Sequence, residues 1–120
     1  MIKLIMCLKR REDLSREEFQ SYWRDKHGPF FMKNAGVMGT RKYVQSHTLP
    51  SPMNAAMQQG RGMLEEYDGV AEVWFESEEA LAAAMGSEQM AKLGEALFED
   101  ESNFIDHARS TAFLVSEVTF

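Results

Sequence analysis

The sequence predicts an α+β fold in which strands and helices alternate in the order β-α-β-β-α-β. Four short segments combine β-compatible residues with alternating or apolar faces, and helix-forming stretches follow the first and third of them. This order is that of the ferredoxin-like fold, an antiparallel four-stranded sheet with helices on one face. Because 120 residues is a typical domain length, we expect residues 1–120 to form one domain.

The first strand and the start of the first helix are the clearest elements. Residues 2–8 are apolar on both faces, which predicts a strand buried on both sides. Ser15 and Glu18 have the spacing of a capping box, and Leu14 and Phe19 that of a hydrophobic staple. The first helix is therefore expected to begin at Ser15.

This helix carries an aromatic face that ends in a histidine. Its apolar rings recur at helical spacing: Phe19, Tyr22, Trp23 and Phe30. His27 follows Trp23 by four residues, so it projects from the same side. Gly28-Pro29 is expected to end or bend the helix just beyond it.

The middle of the chain predicts a loop, a strand and a long connection. Two glycines make residues 34–40 a loop, and alternation over 41–48 predicts the second strand. Residues 49–62 form a long connection with a short helical turn near 53–59. Connections of this length are often functional lids or disordered segments.

The second half predicts a strand, an interrupted helix and a final strand. Residues 69–76 form the third strand, and Ser77 begins a helix. Gly86-Ser87 interrupts that helix, and a further helix continues to about Phe98. The last strand is expected over residues 111–118.

Composition excludes several classes of partner. A net charge of −6 argues against nucleic acid and anionic membranes. The first sixty residues hold ten Lys and Arg against five Asp and Glu, and the remainder three against fourteen, which fits halves that pack together. A lone Cys7 favours a reducing compartment. No signal peptide or membrane span is recognisable, so a cytoplasmic location is expected.

A homodimer follows from the distribution of apolar residues. The helices cover one face of the sheet, yet the first and third strands are apolar on both. An open face carrying Ile5, Tyr43 and Trp74 is too large an apolar patch for a monomer. Two subunits that pack their open faces together would bury it and leave a mostly apolar cavity between sheet and helix ends.

Three blocks of the sequence resemble the EthD family. They are Leu14-Ser15-x-x-Glu18-Phe19-x-x-Tyr22-Trp23-x-x-x-His27-Gly28-Pro29, Tyr43-Val44-Gln45-Ser46-His47 and Tyr67-Asp68-Gly69-Val70-Ala71-Glu72-Val73-Trp74-Phe75. The resemblance implies a ferredoxin-like subunit and a dimeric α+β barrel. It also implies chemistry without a cofactor, because fungal relatives are similar to dehydratases or decarboxylases of aromatic polyketides. Neighbouring families include cyclases and small monooxygenases.

The candidate catalytic residues are His27, Tyr43 and His47. Histidine exchanges protons near neutral pH, as dehydration, isomerisation or decarboxylation requires. The structural alternative is that His27 caps the helix C-terminus. Tyr43, Gln45 and His47 share one strand face and could line a cavity with hydrogen-bond donors. The alternative is a solvated edge strand.

The candidate substrate-binding residues are Trp23, Gln45, Glu72 and Trp74. Trp74 could be the floor of a pocket for a flat ligand or belong to the dimer core. Glu72 is costly to bury alone, so it either pairs with a basic side chain across the interface or acts as a base. Trp74 and Glu72 are expected on the same face as Tyr43.

No metal or organic cofactor is expected, because the histidines lack ligand spacing and no phosphate-binding glycine loop follows a strand. The leading hypothesis is a dimeric enzyme that transfers protons on an apolar or aromatic, oxygen-bearing small molecule. The alternatives are a non-catalytic accessory or ligand-binding protein for an oxidoreductase system, and a cofactor-free monooxygenase.

Overall fold

Four antiparallel strands form one sheet in a computed structural model that describes all 120 residues. They are β1 (Ile2–Leu8), β2 (Thr40–His47), β3 (Gly69–Phe75) and β4 (Thr111–Val115). Their spatial order is β2-β3-β1-β4, so the two central strands are the first and third in the chain. This is the predicted ferredoxin-like topology.

The first helical region is longer than predicted. It comprises α1 (Arg16–Tyr22), a π-helical turn (Trp23–His27) and α2 (Gly28–Met38), joined through right-handed helical backbone. The expectations that Gly28-Pro29 could end the helix and that residues 34–40 form a loop are therefore wrong. The helix ends at Gly39, whose φ of 71° is left-handed and suits a residue without a side chain.

The π-helical turn explains how the helix passes a proline. Proline has no N–H and its ring crowds the carbonyl one turn earlier, which normally breaks an α-helix. Here the Gly28 N–H bonds to the Trp23 carbonyl, five residues back, so the chain is already wider at this point. Such turns often occur at functional sites.

The remaining helices agree better with the prediction. They are α3 (Pro52–Gln59), α4 (Glu78–Met85) and α5 (Glu88–Glu101), followed by a single 3₁₀ turn at His107–Arg109. The break between α4 and α5 falls at Gly86-Ser87 as expected. α5 continues three residues beyond the predicted end, and β4 stops at Val115 rather than at 118.

Two adjoining apolar clusters hold the helices to the sheet. The larger joins α2, β3 and α5, with buried members Phe31, Ala35, Met38, Val73, Phe75, Met90, Leu93 and Leu97. The smaller surrounds the end of β1 and the start of α1, with Leu8, Phe19, Trp23, Ala71, Phe104 and Ile105. Every second residue of β3 is thus buried, because helices cover that side of the sheet, and the residues between them lie on the other side.

The two faces of the sheet differ from the expectation at one strand. Directly paired residues share a face, and Tyr43 pairs with the buried Val73. Tyr43 therefore lies on the helix-covered face, whereas Trp74 and Ile5 lie on the open one. The prediction that all three share the open face is wrong, because a register irregularity between Thr40 and Lys42 sets the phase of β2.

The open face is also more polar than predicted. Lys3 Nζ and Glu72 Oε2 are 2.9 Å apart, and the Trp74 indole N–H donates to Glu117 Oε1 at 2.9 Å. The ammonium groups of Lys3 and Lys42 lie 4.9 and 4.8 Å from the centre of the Trp74 ring. Glu72 thus has its basic partner within the same sheet.

A buried carboxylate ties the start of α1 to two strands. Asp68 is fully buried and accepts hydrogen bonds from the Arg10 N–H (2.8 Å), Arg10 Nη1 (2.7 Å) and Arg16 Nε (2.9 Å). Burial opposes ionisation, yet these donors hold the pKa of Asp68 below its ordinary value. A buried charge that is paired in this way is costly to disturb.

The closest approach of helix and sheet occurs at Gly69. A Cβ atom at this position would lie 2.4 Å from Trp23 Cζ3 and 3.2 Å from the Ser46 carbonyl oxygen. Trp23 is 1% exposed, so its indole has little space into which it could move. Gly69 is therefore required by packing against the indole.

We expect Gly69→Ala to lower the free energy of unfolding by about 1–3 kcal/mol, because it overpacks a filled site. Urea denaturation followed by circular dichroism measures this. The matched control is Gly94→Ala in α5, where no atom lies within 4 Å and stability should rise by about 0.5–1 kcal/mol. Equal effects of the two substitutions would contradict the packing role.

Candidate functional site

A small enclosed cavity lies between the π-helical turn and the helix-covered face of the sheet. Its volume is about 30 Å³, enough for one or two waters. Its walls are mostly apolar, and its titratable lining residues are His27, Tyr43 and Glu101. The larger grooves of the molecule, such as one of about 500 Å³ beside Phe30, are open and lie on its surface.

His27 is held in one orientation by a carboxylate. Its Nδ1 lies 2.6 Å from Asp100 Oδ2, and the Tyr22 hydroxyl donates to Asp100 Oδ1 at 2.6 Å. Because a carboxylate can only accept, Nδ1 is the donor to Asp100 in this pair. Nε2 has no hydrogen-bond partner in the chain and, in the neutral ring, is the nitrogen with a free lone pair. This is the arrangement of a histidine prepared to accept a proton.

A second network runs along β2 behind the cavity. Gln45 Nε2 donates to the Trp23 carbonyl (2.9 Å) and to the Tyr43 hydroxyl oxygen (2.8 Å). Gln45 Oε1 accepts from His47 Nε2 at 2.8 Å, and the His47 ring lies against the Trp23 indole, tilted by 35°, with centroids 4.6 Å apart. The Tyr43 hydroxyl thus receives a hydrogen bond, and its own proton has no acceptor in the chain.

The environment keeps both Tyr43 and His47 uncharged near neutral pH. Burial raises the pKa of Tyr43 against the lowering effect of the Gln45 hydrogen bond, and the charge of Glu101 adds to the rise. Burial also lowers the pKa of His47, and the positive charge of Arg24 lowers it further. Tyr43 is therefore a neutral hydrogen-bond donor, and His47 a neutral ring that orients Gln45.

The structure brings together only part of the predicted site. His27, Trp23 and Tyr43 line the cavity, whereas Gln45 and His47 stand behind them in the second network. Glu72 and Trp74 lie on the opposite face of the sheet. The prediction that these two share a face with Tyr43 is wrong, since Glu72 pairs with Val44 and Ile5 while Tyr43 pairs with Val73.

Sequence reasoning missed Asp100, Glu101 and Phe31. The two acids follow Phe98, where the helix was expected to end, and only the extra turn of α5 brings Asp100 to His27 and Glu101 to the cavity. Phe31 was available from the sequence, because it follows His27 by four residues and extends the same helical face. Its ring packs against Tyr43 at a tilt of 31°, with centroids 4.4 Å apart.

Two further properties of the chain concern ions and membranes. No three His, Cys, Asp or Glu side chains converge in a geometry that could hold a metal ion. None of the helices has both the length and the apolar composition needed to cross a membrane.

The neutral state of His47 can be measured directly. We expect its imidazole to titrate below the ordinary value of 6.5 in NMR spectra recorded across a pH series, because burial disfavours the charged ring. Arg24→Gln should raise this pKa toward 6.5 by removing a nearby positive charge. Arg109→Gln, which removes an arginine far from the ring, should leave it unchanged, and an equal rise in both variants would contradict the assignment.

Comparison with known proteins identifies the family to which the chain belongs. The family model of the EthD domain matches residues 11–108. An ethyl tert-butyl ether D (EthD) family protein from Bacillus halodurans C-125 superposes with a TM-score of 0.65 at 23% identity, covering 98% of this chain and 99% of its own. No protein of curated function matches the chain significantly.

Two other solved structures share the fold at lower identity. A dimeric protein of ferredoxin-like fold and unknown function from Bacteroides fragilis superposes with a TM-score of 0.60 at 11% identity, covering 97% of this chain and 95% of its own. SnoaB, a cofactor-independent oxygenase from Streptomyces nogalater, superposes with a TM-score of 0.56 at 13% identity, covering 99% and 94%. The match of the EthD domain to 11–108 on this ferredoxin-like sheet shows that the chain belongs to the EthD family.

Proposed function

We propose that this protein is a cofactor-independent enzyme that moves a proton on a small apolar or aromatic substrate bearing oxygen. The observation that carries the proposal is the buried His27–Asp100 pair, joined at 2.6 Å, beside an enclosed apolar cavity. The proposal requires no bound group, because the side chains present can complete a cycle of proton transfer.

His27 is the general base in this proposal. Asp100 holds the Nδ1 proton and stabilises the imidazolium that forms when Nε2 accepts a second proton. Apolar walls strengthen this interaction, because charges attract more strongly where water is excluded. Asp100 is a positioning residue, since it acts through the ring and does not line the cavity.

Tyr43 is the hydrogen-bond donor to the substrate oxygen. When His27 removes a proton from carbon next to a carbonyl, negative charge moves to the carbonyl oxygen, and the free hydroxyl proton of Tyr43 stabilises it. In a dehydration, the imidazolium then returns that proton to the departing hydroxyl group, which leaves as water. In an isomerisation the proton returns to a different carbon.

The size of the cavity limits how the substrate binds. A volume of about 30 Å³ is too small for an aromatic ring, so binding must displace part of the wall. The partly exposed lining residues are Met6, Tyr43 and Glu101, and the unbranched Met6 side chain adapts most easily to a new shape. The substrate therefore enters on the side of Met6.

We expect His27→Ala to reduce proton transfer by about 10²–10⁴-fold, the usual contribution of a general base. The assay is deuterium uptake beside the carbonyl of a panel of aryl ketones in D₂O, followed by NMR. Asp100→Asn should also reduce the rate by about 10²-fold or more by losing the correct tautomer. Asp13→Asn, an exposed carboxylate paired with Arg11, is the matched control.

Because His27 is buried, His27→Asn tests the same role with less disturbance. The asparagine amide can still donate to Asp100, but it offers no base at the position of Nε2. A folded His27→Asn variant with the wild-type exchange rate would refute the role of His27. A wild-type protein that binds the ketones without catalysing exchange would instead support the alternative of a ligand-binding accessory protein.

A second candidate function is a cofactor-free oxygenase. The observation that favours it is the fold shared with SnoaB, described as a cofactor-independent oxygenase, together with a base that could deprotonate a phenolic substrate. The carbanion formed in this way would then react with O₂. Oxygen consumption with dihydroxylated aromatic substrates separates this reaction from simple proton exchange.

We further propose that two copies of the chain pack through their open sheet faces. Half-buried apolar side chains cross this face on three strands, among them Val44, Val70 and Ile5, and Phe113 of β4 is 48% exposed. A relative of the same fold is described as dimeric. The Lys3–Glu72 pair would remain satisfied within each subunit.

Ile5→Lys is expected to convert the dimer to a monomer, because it places a charge at the centre of the apolar contact. Sedimentation velocity over a range of concentrations measures the change in mass. Met32→Lys, on an exposed position of α2, should leave the dimer intact. A wild-type protein that sediments as a monomer at all concentrations would disprove this assembly.

A further inference from the structure

We propose that the cavity selects an uncharged substrate and rejects carboxylates, and that Glu101 is the residue responsible; this rests on the proposed function. The proposal names the class of substrate as neutral aromatic ketones and hydroxy ketones. It thereby separates dehydration and isomerisation, which act on neutral compounds, from decarboxylation, which begins from a carboxylate.

Glu101 brings a carboxylate to the cavity with no Lys or Arg paired to it, and its one ion-pair partner is the imidazole of His107. Its Oε1 accepts from His107 Nε2 at 3.0 Å, and its Oε2 has no hydrogen-bond partner in the chain. The side chain is 19% exposed. None of the residues that line the cavity is Lys or Arg, and His27, the one lining side chain that could become cationic, must be neutral to act as the base in the proposed function.

The end of α5 adds further negative charge at the same place. Its last turn contains three consecutive acids, Glu99, Asp100 and Glu101, and no basic residue. A helix C-terminus carries a partial negative charge that favours cations, so this arrangement opposes helix stability. The effect reaches the cavity, because the charge of Glu101 contributes to the raised pKa of Tyr43.

An anionic substrate would therefore bind poorly. A carboxylate inside the cavity would lose its hydration shell and would face Glu101 in surroundings of low dielectric constant. A ketone or hydroxyl oxygen has no such cost and can accept the free proton of Tyr43. Negative charge on the substrate would then develop only during reaction, at the oxygen next to Tyr43.

The test compares two ligands of equal shape. 4-Methoxyacetophenone is neutral and 4-methoxybenzoate is anionic at pH 7.5, and both are titrated into the protein and followed by NMR chemical shifts. We expect the ketone to bind at least about tenfold more tightly than the carboxylate to the wild type. Glu101→Gln keeps the shape and the acceptor for His107, and should reduce this ratio about threefold or more by strengthening carboxylate binding, since only the cost of desolvating the carboxylate then remains.

Glu99→Gln is the matched control, because it removes the same charge from the same helical turn at a position outside the cavity. It should leave most of the preference in place. Equal binding of both ligands to the wild type would overturn the inference and leave the proposed function intact. A preference that Glu101→Gln does not change would overturn the role of Glu101, and binding of neither ligand would contradict the proposed aromatic substrate itself.

Discussion

The packing of Trp23 on Gly69 is the constraint on which the candidate site depends. The indole touches bare backbone at the start of β3, and the helix can lie this close only because no Cβ stands between them. At the same turn the helix widens into its π-helical segment, which directs the Trp23 carbonyl toward Gln45 and His27 toward Asp100. Gly28 also leaves room for a close contact, since a Cβ there would lie 3.0 Å from Gln45 Nε2. These two glycines thus allow the helix and the sheet to approach closely where the cavity forms.

Polar groups near this contact are buried only where their hydrogen bonds are satisfied. Asp68 is fully buried, Asp100 is a partly buried residue of α5, and each oxygen of either carboxylate has a donor. The exceptions are informative, because an unused hydrogen-bonding group beside an enclosed space is available to a ligand. His27 Nε2, the Tyr43 hydroxyl proton and Glu101 Oε2 are three such groups around one cavity. The acids at the end of α5 oppose the helix dipole, so they serve the site at some cost to stability.

The sheet separates two roles between its faces. The helix-covered face carries Tyr43, Gln45 and His47 toward the cavity, and the open face carries Ile5, Glu72 and Trp74 toward a second subunit in the proposed dimer. The alternation of side chains along a strand makes this separation strict, since a shift of one residue exchanges the faces. Because the irregularity between Thr40 and Lys42 sets that phase for β2, reasoning from the strand patterns placed Tyr43 beside Trp74 when the two point in opposite directions.

The sequence by itself determined the order of the strands, the starts of α1, α4 and α5 and the candidate base, because a capping box, serine N-caps, aromatic spacing and alternation are local patterns. Ser15 with Glu18 located α1, and Trp23 with His27 located the buried face of the helix. Only the tertiary structure decided what His27 meets, since Asp100 is 73 residues away and no spacing connects them. It also decided that the helix continues past Pro29, because a widened turn depends on packing against Gly69 and not on the propensity of its residues.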